Sequence, residues 1–552
     1  MIGTTTRGAV VVTPCEHARG FHGFFREADL YEKLHLHVAP LHRFFSLMRK
    51  LRARTLVTED DIKHTEFDQE DEDIGIRCDA STPGSQTKRI SCFSTQFDNA
   101  EQVADQPPGS CLGYLILRDV TLPNGNHNIT AWESVVVPPS ARLTNWYLHS
   151  HACFRTTVCG RDFEVRGSYF CQQNGLTSVC AHSALRTSLN NLRDRLGLSD
   201  QDLVTYRGLN QILDIDHRKR KVGNRYLCTD WLTPFTTEDI CKVADHFGLE
   251  PFGQDYFADP YALYWEFLHT STDGGYPTLF GFTSGEQPRV AHVIAVVGHT
   301  WNSELWLPDA ELGSLAQAPV GSYQAAAAWV DHFIVQDDNL GTYCMLPARS
   351  LWRVTLPKAD PESRACVAIT LLDRDVHRAP SNATDKAGVV VTRLVRQEGR
   401  TGNQWHDELF AEVTWPRRAP VFRTLLKQKE PYLSYLRETP SVDRTPGAKA
   451  VPPEVVDVLE ALMPDLFWVV EVTLRDIYTA NRSKLGDVYF DVQQPASREQ
   501  PHVGFLAAWW PGFMYVQRNG PDGRPYLIPI QTSQDCYVPL YLEGNPFQTA
   551  EF

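Results

Sequence analysis

Cys180 is the residue whose surroundings in the sequence best suit covalent chemistry. It stands in Ser168–Leu192, SYFCQQNGLTSVCAHSALRTSLNNL, where two glutamines and an Asn174-Gly175 turn precede a helical pattern. From Cys180 on, Ala181, Leu185, Leu189 and Leu192 recur at three- and four-residue spacing, one apolar stripe of a helix. Thr177 or Ser178 is the expected N-cap. Cys180 then falls in the first turn, where free N–H groups and the helix dipole favour a thiolate. Gln172 and Gln173, a few residues upstream, can fold back and offer an amide N–H to a developing oxyanion. Either glutamine suits that role; Gln173 is taken as the first choice. The plain alternative is a small buried cysteine on a helix, since the chain has twelve others.

A thiol nucleophile needs a base. Ala291–Val297, AHVIAVV, is strongly β-branched and predicts a strand with His292, Ile294 and Val296 on one face. Glu304–Leu307 predicts the next strand, leading to Asp309. If the turn centres near Trp301–Asn302, His292 faces Asp309 directly or one diagonal step away. A carboxylate there fixes the tautomer of the histidine and stabilises its imidazolium. His182, two positions from Cys180, points to another side of the helix and is not assigned as the base. Trp329–Leu346 predicts a hairpin around Asp337-Asp338-Asn339-Leu340-Gly341; its Asp-Asn-Gly chemistry is what a turn requires, so these carboxylates are read as structural, at the rim of a cleft.

The elements that position these residues fall into segments of different character. Residues 1–87 hold an amphipathic helical stretch over Ala28–Arg54, then the acidic run Glu59–Asp73, expected to be a solvated linker. His35, His37 and His42 lack acidic or cysteine partners at ligand spacing, so no metal site is expected. Residues 88–166 predict strands at Ile90–Ser94, Cys111–Val120, Trp132–Val137 and Thr144–His149, with a last hairpin turning at Cys159-Gly160-Arg161-Asp162. Between Cys180 and His292, helices are expected from Ser199, from Thr236 to His246 with Gly248 as its stop, and over Pro260–Thr270, followed by a strand at Thr278–Phe282. Residues 359–552 predict an α+β region with strands at Val367–Leu372, Phe467–Val472, Val488–Val492, Gly504–Trp509, Met514–Arg518 and Tyr526–Ile530, and a loop at Pro440–Pro453.

Composition narrows the class. The chain has 552 residues, enough for about two to four domains, with 42% apolar and 22% charged residues. A formal charge of −14 speaks against a nucleic-acid binder, and the basic run His217–Lys221 reads as a solvated loop. The first twenty residues lack the pattern of a secretory signal, and no apolar run is long enough to span a bilayer as a helix. Thirteen cysteines without CxxC pairs suggest reduced thiols, hence a cytoplasmic setting.

The order of glutamine loop, cysteine helix, intervening helices, histidine strand and aspartate strand resembles the papain-like cysteine peptidases, and within them the bacterial C39-like type. Gln173 or Gln172 matches that family's oxyanion glutamine, Cys180 its nucleophile, His292 in AHVIAVVGH its histidine and Asp309 in LWLPDAE its aspartate. TTEDICKVADHFGLEP and GGYPTLFGF are similar to the helix and the strand that such domains place before the histidine. Where the family usually has glycine after the cysteine, this chain has Ala181. The resemblance covers about residues 167–358 and implies an α+β fold, with the nucleophile helix packed on an antiparallel sheet. A β-rich module would precede it and an α+β domain of unknown role would follow. The implied activity is hydrolysis of a protein or peptide substrate by Cys180, His292, Asp309 and Gln173, with no cofactor, no metal, and no nucleic-acid or membrane partner. Transglutaminase-like acyl transfer or deamidation, and a catalytically inactive binding module, are the alternatives.

Overall fold

The computed structural model describes residues 9–529 except 16–38, 79–83, 123–124, 126, 140–144, 149–150, 199–202, 216–235, 260–261, 285–291, 301–315, 319–320, 353–359, 377–379, 415–418, 439–450, 479–483, 494–503, 511 and 518–525. The expected basic loop 217–221, the helix start at 199–202, the strand 304–307 and Asp309 therefore lie outside the described residues, as do His35 and His37. The fold is α+β, and its sheets are mainly antiparallel. No helix among the described residues is long and apolar enough to cross a membrane.

Elements are numbered along the chain. The first sheet has the order β1-β2-β3-β4-β5-β8-β7. Its strands are β1 (Val10–Pro14), β2 (Thr55–Asp60), β3 (Ser85–Phe93), β4 (Cys111–Thr121), β5 (His127–Val136), β7 (Ala152–Val158) and β8 (Arg161–Phe170). Strands from both sides of residue 87 thus share one sheet. The β7–β8 hairpin turns on Cys159 and Gly160, both at positive φ, as its Cys-Gly-Arg-Asp sequence predicts. Helix α1 (Ala39–Lys50) buries Leu41, Phe44, Phe45 and Met48 against this sheet, and His42 stands exposed on it.

Helix α2 (Thr65–Cys78) corrects the reading of the acidic run. Glu70, Asp71 and Asp73 are 2%, 7% and 9% exposed rather than solvated. Each faces a cation or a donor brought from elsewhere in the chain. Arg118 of β4 pairs with Asp71, and Arg207 donates to Asp73 at 2.6 Å.

The second sheet carries the site. Its order is β15-β14-β11-β10-β17-β16, with β9 (Leu249–Asp255) on β17 and the short β6 (Trp146–Leu148) on the end of β11. The strands are β10 (Thr278–Ser284), β11 (His292–Thr300), β14 (His332–Asp337), β15 (Gly341–Pro347), β16 (Leu351–Trp352) and β17 (Asp360–Asp373). Because β17 joins this sheet, the sheet runs across residue 358. Gly298 lets β6 lie close: a Cβ there would sit 2.3 Å from the carbonyl oxygen of Tyr147. Helix α3 (Cys180–Asn191) packs on this sheet. Its Leu185, Leu189 and Leu192 share a core with α4 (Tyr206–Ile212), α5 (Thr237–His246) and β17. Helix α6 (Tyr264–Asp273) covers β11 in turn.

The third sheet has the order β12-β13-β18-β19-β20-β21-β22-β23. It uses β12 (Ala316–Ala318), β13 (Gly321–Ala325), β18 (Val421–Gln428), β19 (Leu466–Thr473), β20 (Gly486–Asp491), β21 (Phe505–Trp510), β22 (Phe513–Val516) and β23 (Tyr526–Pro529). Helix α7 (Pro380–Glu398) joins it to the core around α3, through Val391, Leu394 and Val395.

A chain of sealed charges crosses between the second and third sheets. Asp273, at the end of α6, lies 3.0 Å from His299 of β11, 3.3 Å from His269 and 3.0 Å from Nε of Arg423 on β18. Arg423 continues to Glu471 of β19 at 2.9 Å, and Lys484 bridges Glu471 and Asp487 at 3.1 and 2.8 Å. Burial pushes the Asp273 carboxyl up, but Arg423 and the two imidazoles outweigh it and hold it far below the usual range. Burial drives His269 down to about 3 despite Asp273, so this imidazole is neutral. Asp273→Ala would remove one of the two carboxylates on the buried Arg423 and leave its Nε–H without an acceptor, with Glu471 shared between Arg423 and Lys484. The expected loss is about 3–5 kcal/mol of unfolding free energy. Urea unfolding checks it, followed through the fluorescence of the buried Trp468 and Trp509 of the third sheet.

Candidate active site

The loop leading from β8 to α3 is tied down at nearly every residue. Gln172 clamps onto β5: its N–H donates to the carbonyl of Ala131 at 2.9 Å, and its Oε1 accepts the Ala131 N–H at 2.8 Å. With the oxygen committed, the amide N–H₂ of Gln172 is the end able to donate elsewhere. Gln173 is half-buried beside it.

Asn174 organises the turn. Its Oδ1 accepts from the N–H groups of Leu176, Thr177 and Ser178 at 2.8, 2.8 and 3.2 Å, and Gly175 takes a φ of +73°. The Asn174 amide donates to Thr177 Oγ1 at 2.7 Å and to Glu70 of α2, which also accepts the Thr177 hydroxyl. Burial pushes the Glu70 carboxyl up, opposed by the charge of Arg118 and the Thr177 hydrogen bond. Thr177 and Ser178 are thus engaged within the loop, and the N-cap position belongs to Val179. The Val179 N–H donates to Nδ1 of His182 at 3.2 Å, and Nε2 of His182 meets Oδ1 of Asn210 at 2.9 Å. His182 is fully buried with both ring nitrogens engaged, which makes it a brace and not a base.

Farther along α3, Arg186 anchors the helix. Its guanidinium lies 4.8, 4.7 and 5.6 Å from the ring centres of Trp132, Tyr206 and Tyr169, and donates to Glu66 of α2 at 3.0 Å. Cys180 opens the helix half-exposed; the N-cap Val179 has no side-chain acceptor for the first-turn N–H groups, and His182 takes only the N–H of Val179 itself. The dipole and the first-turn N–H groups therefore face the thiol's surroundings.

His292 is the first described residue of β11, and the Cys180 thiol is among the neighbours that raise the pKa of its imidazole. Its Nε2 lies 3.1 Å from Oδ1 of Asp337 and 3.4 Å from Oδ1 of Asp338. Since Nε2 faces these carboxylates, Nδ1 is left to serve the thiol. The Phe282 ring stands edge-on to the imidazole at 5.7 Å. Burial lowers the His292 pKa, but the hydrogen bond to Asp337, the neighbouring Cys180 thiol and the charges of both aspartates reverse this and hold it at about 10.

Among the described residues the carboxylates on His292 are those of the β14–β15 turn; the expected Asp309 lies outside the described residues. The physical reason is sheet order. In the register of β11, the neighbour beside β10 is β14, with Ala295 opposite Gln336 and Val296 opposite Val335. The turn that follows β14 is delivered to the His292 end of the strand. The turn role expected of Asp337 is also present: its Oδ1 accepts the N–H groups of Asn339 and Leu340 at 2.9 and 3.3 Å.

Two groups among the described residues bring three possible metal-ligand atoms within 4.8 Å: His292, Asp337 and Asp338, and His269, Asp273 and His299. The second is already neutralised by Arg423. In the first, the imidazolium stands where a cation would. No family model, curated protein or solved structure matches the chain.

Two outcomes test this geometry. Asn174→Ala leaves three turn N–H groups without their acceptor and is expected to lower stability by about 1–3 kcal/mol, with faster amide exchange confined to Leu176–Ser178. The folded-state pKa of His292 lies above its ordinary 6.5. Its contribution to stability is thus complete below pH 6.5 and lost as pH rises through about 10. The stability gap between wild type and His292→Ala in urea unfolding should be widest below pH 6.5 and should close on the alkaline side.

Proposed function

We propose that the chain is a cysteine-dependent hydrolase of amide or ester bonds in a protein or peptide substrate, built on a papain-like plan. The observation that carries this reading is the set Cys180, His292, Asp337, with the thiol at a helix start whose N-cap residue has no side-chain acceptor, the thiol raising the pKa of the imidazole, and the Asp337 carboxylate on Nε2 of the ring.

The Cys180 thiolate attacks the carbonyl carbon, while His292 holds the proton taken from sulfur. The tetrahedral oxyanion forms beside the Cys180 backbone N–H, with the Gln172 amide N–H₂ as the second donor. Gln172 is preferred over Gln173 because its side chain is clamped on Ala131, and a donor fixed in advance needs no reorganisation. Collapse breaks the bond to the leaving amine or alcohol, which takes its proton from His292, and leaves a thioester on Cys180. Water then attacks the thioester, giving its proton to His292, and the acid is released with a free thiol. Asp337 keeps the ring oriented and its charge stabilised throughout. An amine in place of water would make the second half an acyl transfer, so product analysis separates the two.

The other thiols serve as internal controls. Burial raises Cys15, Cys344 and Cys366 to about 11, Cys111 to about 12, and Cys159 to about 11 with the charge of Glu59 adding to the effect. In iodoacetamide labelling across pH 5–9, read per cysteine by mass spectrometry, Cys180 is expected to react fastest below pH 8. It should lose about 10- to 100-fold of that rate in His292→Ala. A Cys180 no faster than the rest, or indifferent to His292→Ala, would overturn the reading.

A further inference from the structure

We propose that Asp338 is a second positioning carboxylate for His292, so that two adjacent aspartates of one turn hold the ring instead of Asp337 alone. The inference rests on the reading of His292 as the base of Cys180, and it assigns a role which that reading does not use.

Asp337 is a divided acceptor. Its Oδ1 serves His292 Nε2 at 3.1 Å while also taking the N–H groups of Asn339 and Leu340. Asp338 is in the opposite situation. It is 4% exposed, neither carboxylate oxygen makes a well-formed hydrogen bond among the described residues, the backbone N–H groups of Asp338 and Asn339 give the anion only partial support, and Oδ1 lies 3.4 Å from His292 Nε2. A sealed carboxylate so weakly supported is costly as an anion unless a cation stands close by.

The groups around it leave His292 in that role. Asp337 beside it is an anion and opposes its ionisation. Cys171, from the loop before α3, feels the Asp338 charge but brings only a buried thiol. Arg43 of α1 donates to the carbonyls of Thr342 and Tyr343, and Cys344 of β15 lies nearer to Arg43 and Asp337. His292 is the ion-pair partner of Asp338 among the described residues. Burial, helped by Asp337 and opposed by His292, holds the Asp338 carboxyl at about 7. Above that pH two anions face the ring. As pH falls through it, Asp338 takes a proton and Asp337 remains alone.

The experiment uses the full chain labelled with ¹⁵N-histidine, with the His292 resonances assigned by their loss in His292→Ala. Ring nitrogens are titrated from pH 5 to 11 in wild type, Asp337→Asn and Asp338→Asn. The expected result is that D338N lowers the pH of His292 deprotonation by about one unit, a tenfold loss of proton affinity. Asp338→Glu, which keeps the charge, should restore most of it. A purely structural turn residue would leave the titration in place. Coincident titrations of D338N and wild type, with D337N shifted, would overturn the proposal. Should D338N not fold, Asp338→Ser is read in the same way. Alkylation of Cys180 in the wild type separates the two claims. A thiol that ignores His292 removes the nucleophile reading, while the ring titration still decides what Asp338 does.

Discussion

A carboxylate sealed from water must be met by a cation or by hydrogen-bond donors, and Asp273 is where that requirement joins the two halves of the site's scaffold. Its partners come from three directions: His269 one turn back in α6, His299 on β11 and Arg423 on β18. Such a cluster contributes little net free energy over a well-packed apolar core, because desolvation offsets the attraction. What it imposes is register. A one-residue slip of β11 would turn His299 out of the cluster and carry His292 to the wrong face of the sheet. The bulge at Val296–Gly298 and the close approach of β6 at Gly298 fix the same strand from its other edge.

The nucleophile half is fixed by the same kind of force with the charges exchanged. Arg186 sits in a box of aromatic rings, and its countercharge comes from Glu66 on α2, a helix more than a hundred residues away in sequence. Four residues on, Glu70 receives the side chains of Asn174 and Thr177. One acidic helix therefore sets both the axis of α3 and the path of the loop that precedes Cys180. Both halves are held by contacts within the chain, so Cys180 and His292 are placed by burial and buried charge alone.

This division explains what could be read from the sequence. The stripe Leu185, Leu189, Leu192 and the aliphatic run after His292 are local patterns, and local patterns carry helix and strand through period. Cys180 and His292 were legible for that reason, as were the β7–β8 hairpin at Cys159-Gly160 and the stop at Gly248, whose φ is +72°. The acidic run was misread because nothing within it shows that its carboxylates are met by Arg118, Arg186 and Arg207, which arrive from β4, α3 and α4. The N-cap was misplaced by two or one residues because Asn174 and Glu70 draw Thr177 and Ser178 into the loop. The helices of the expected α+β C-terminal region, α7 among them, were not located, and α7 closes the same core as α3.

The contact of Asp337 and Asp338 with His292 was missed for a different reason, and it shows a limit of weighing structure against function residue by residue. Asp337-Asp338-Asn339-Leu340-Gly341 has the composition of a turn, and a turn is what it makes, with Gly341 at a φ of +118°. Sheet order then places that turn at the end of β11 where His292 begins. The lone pairs of Asp337 Oδ1 that cap the turn also face the imidazole, so satisfying the backbone and orienting the base are one arrangement. Asp338 lacks the well-formed backbone hydrogen bonds that Asp337 makes, and the turn's own N–H groups support its buried carboxylate only weakly. A carboxylate that its own turn leaves so short of donors is the better witness to what the neighbouring strand requires.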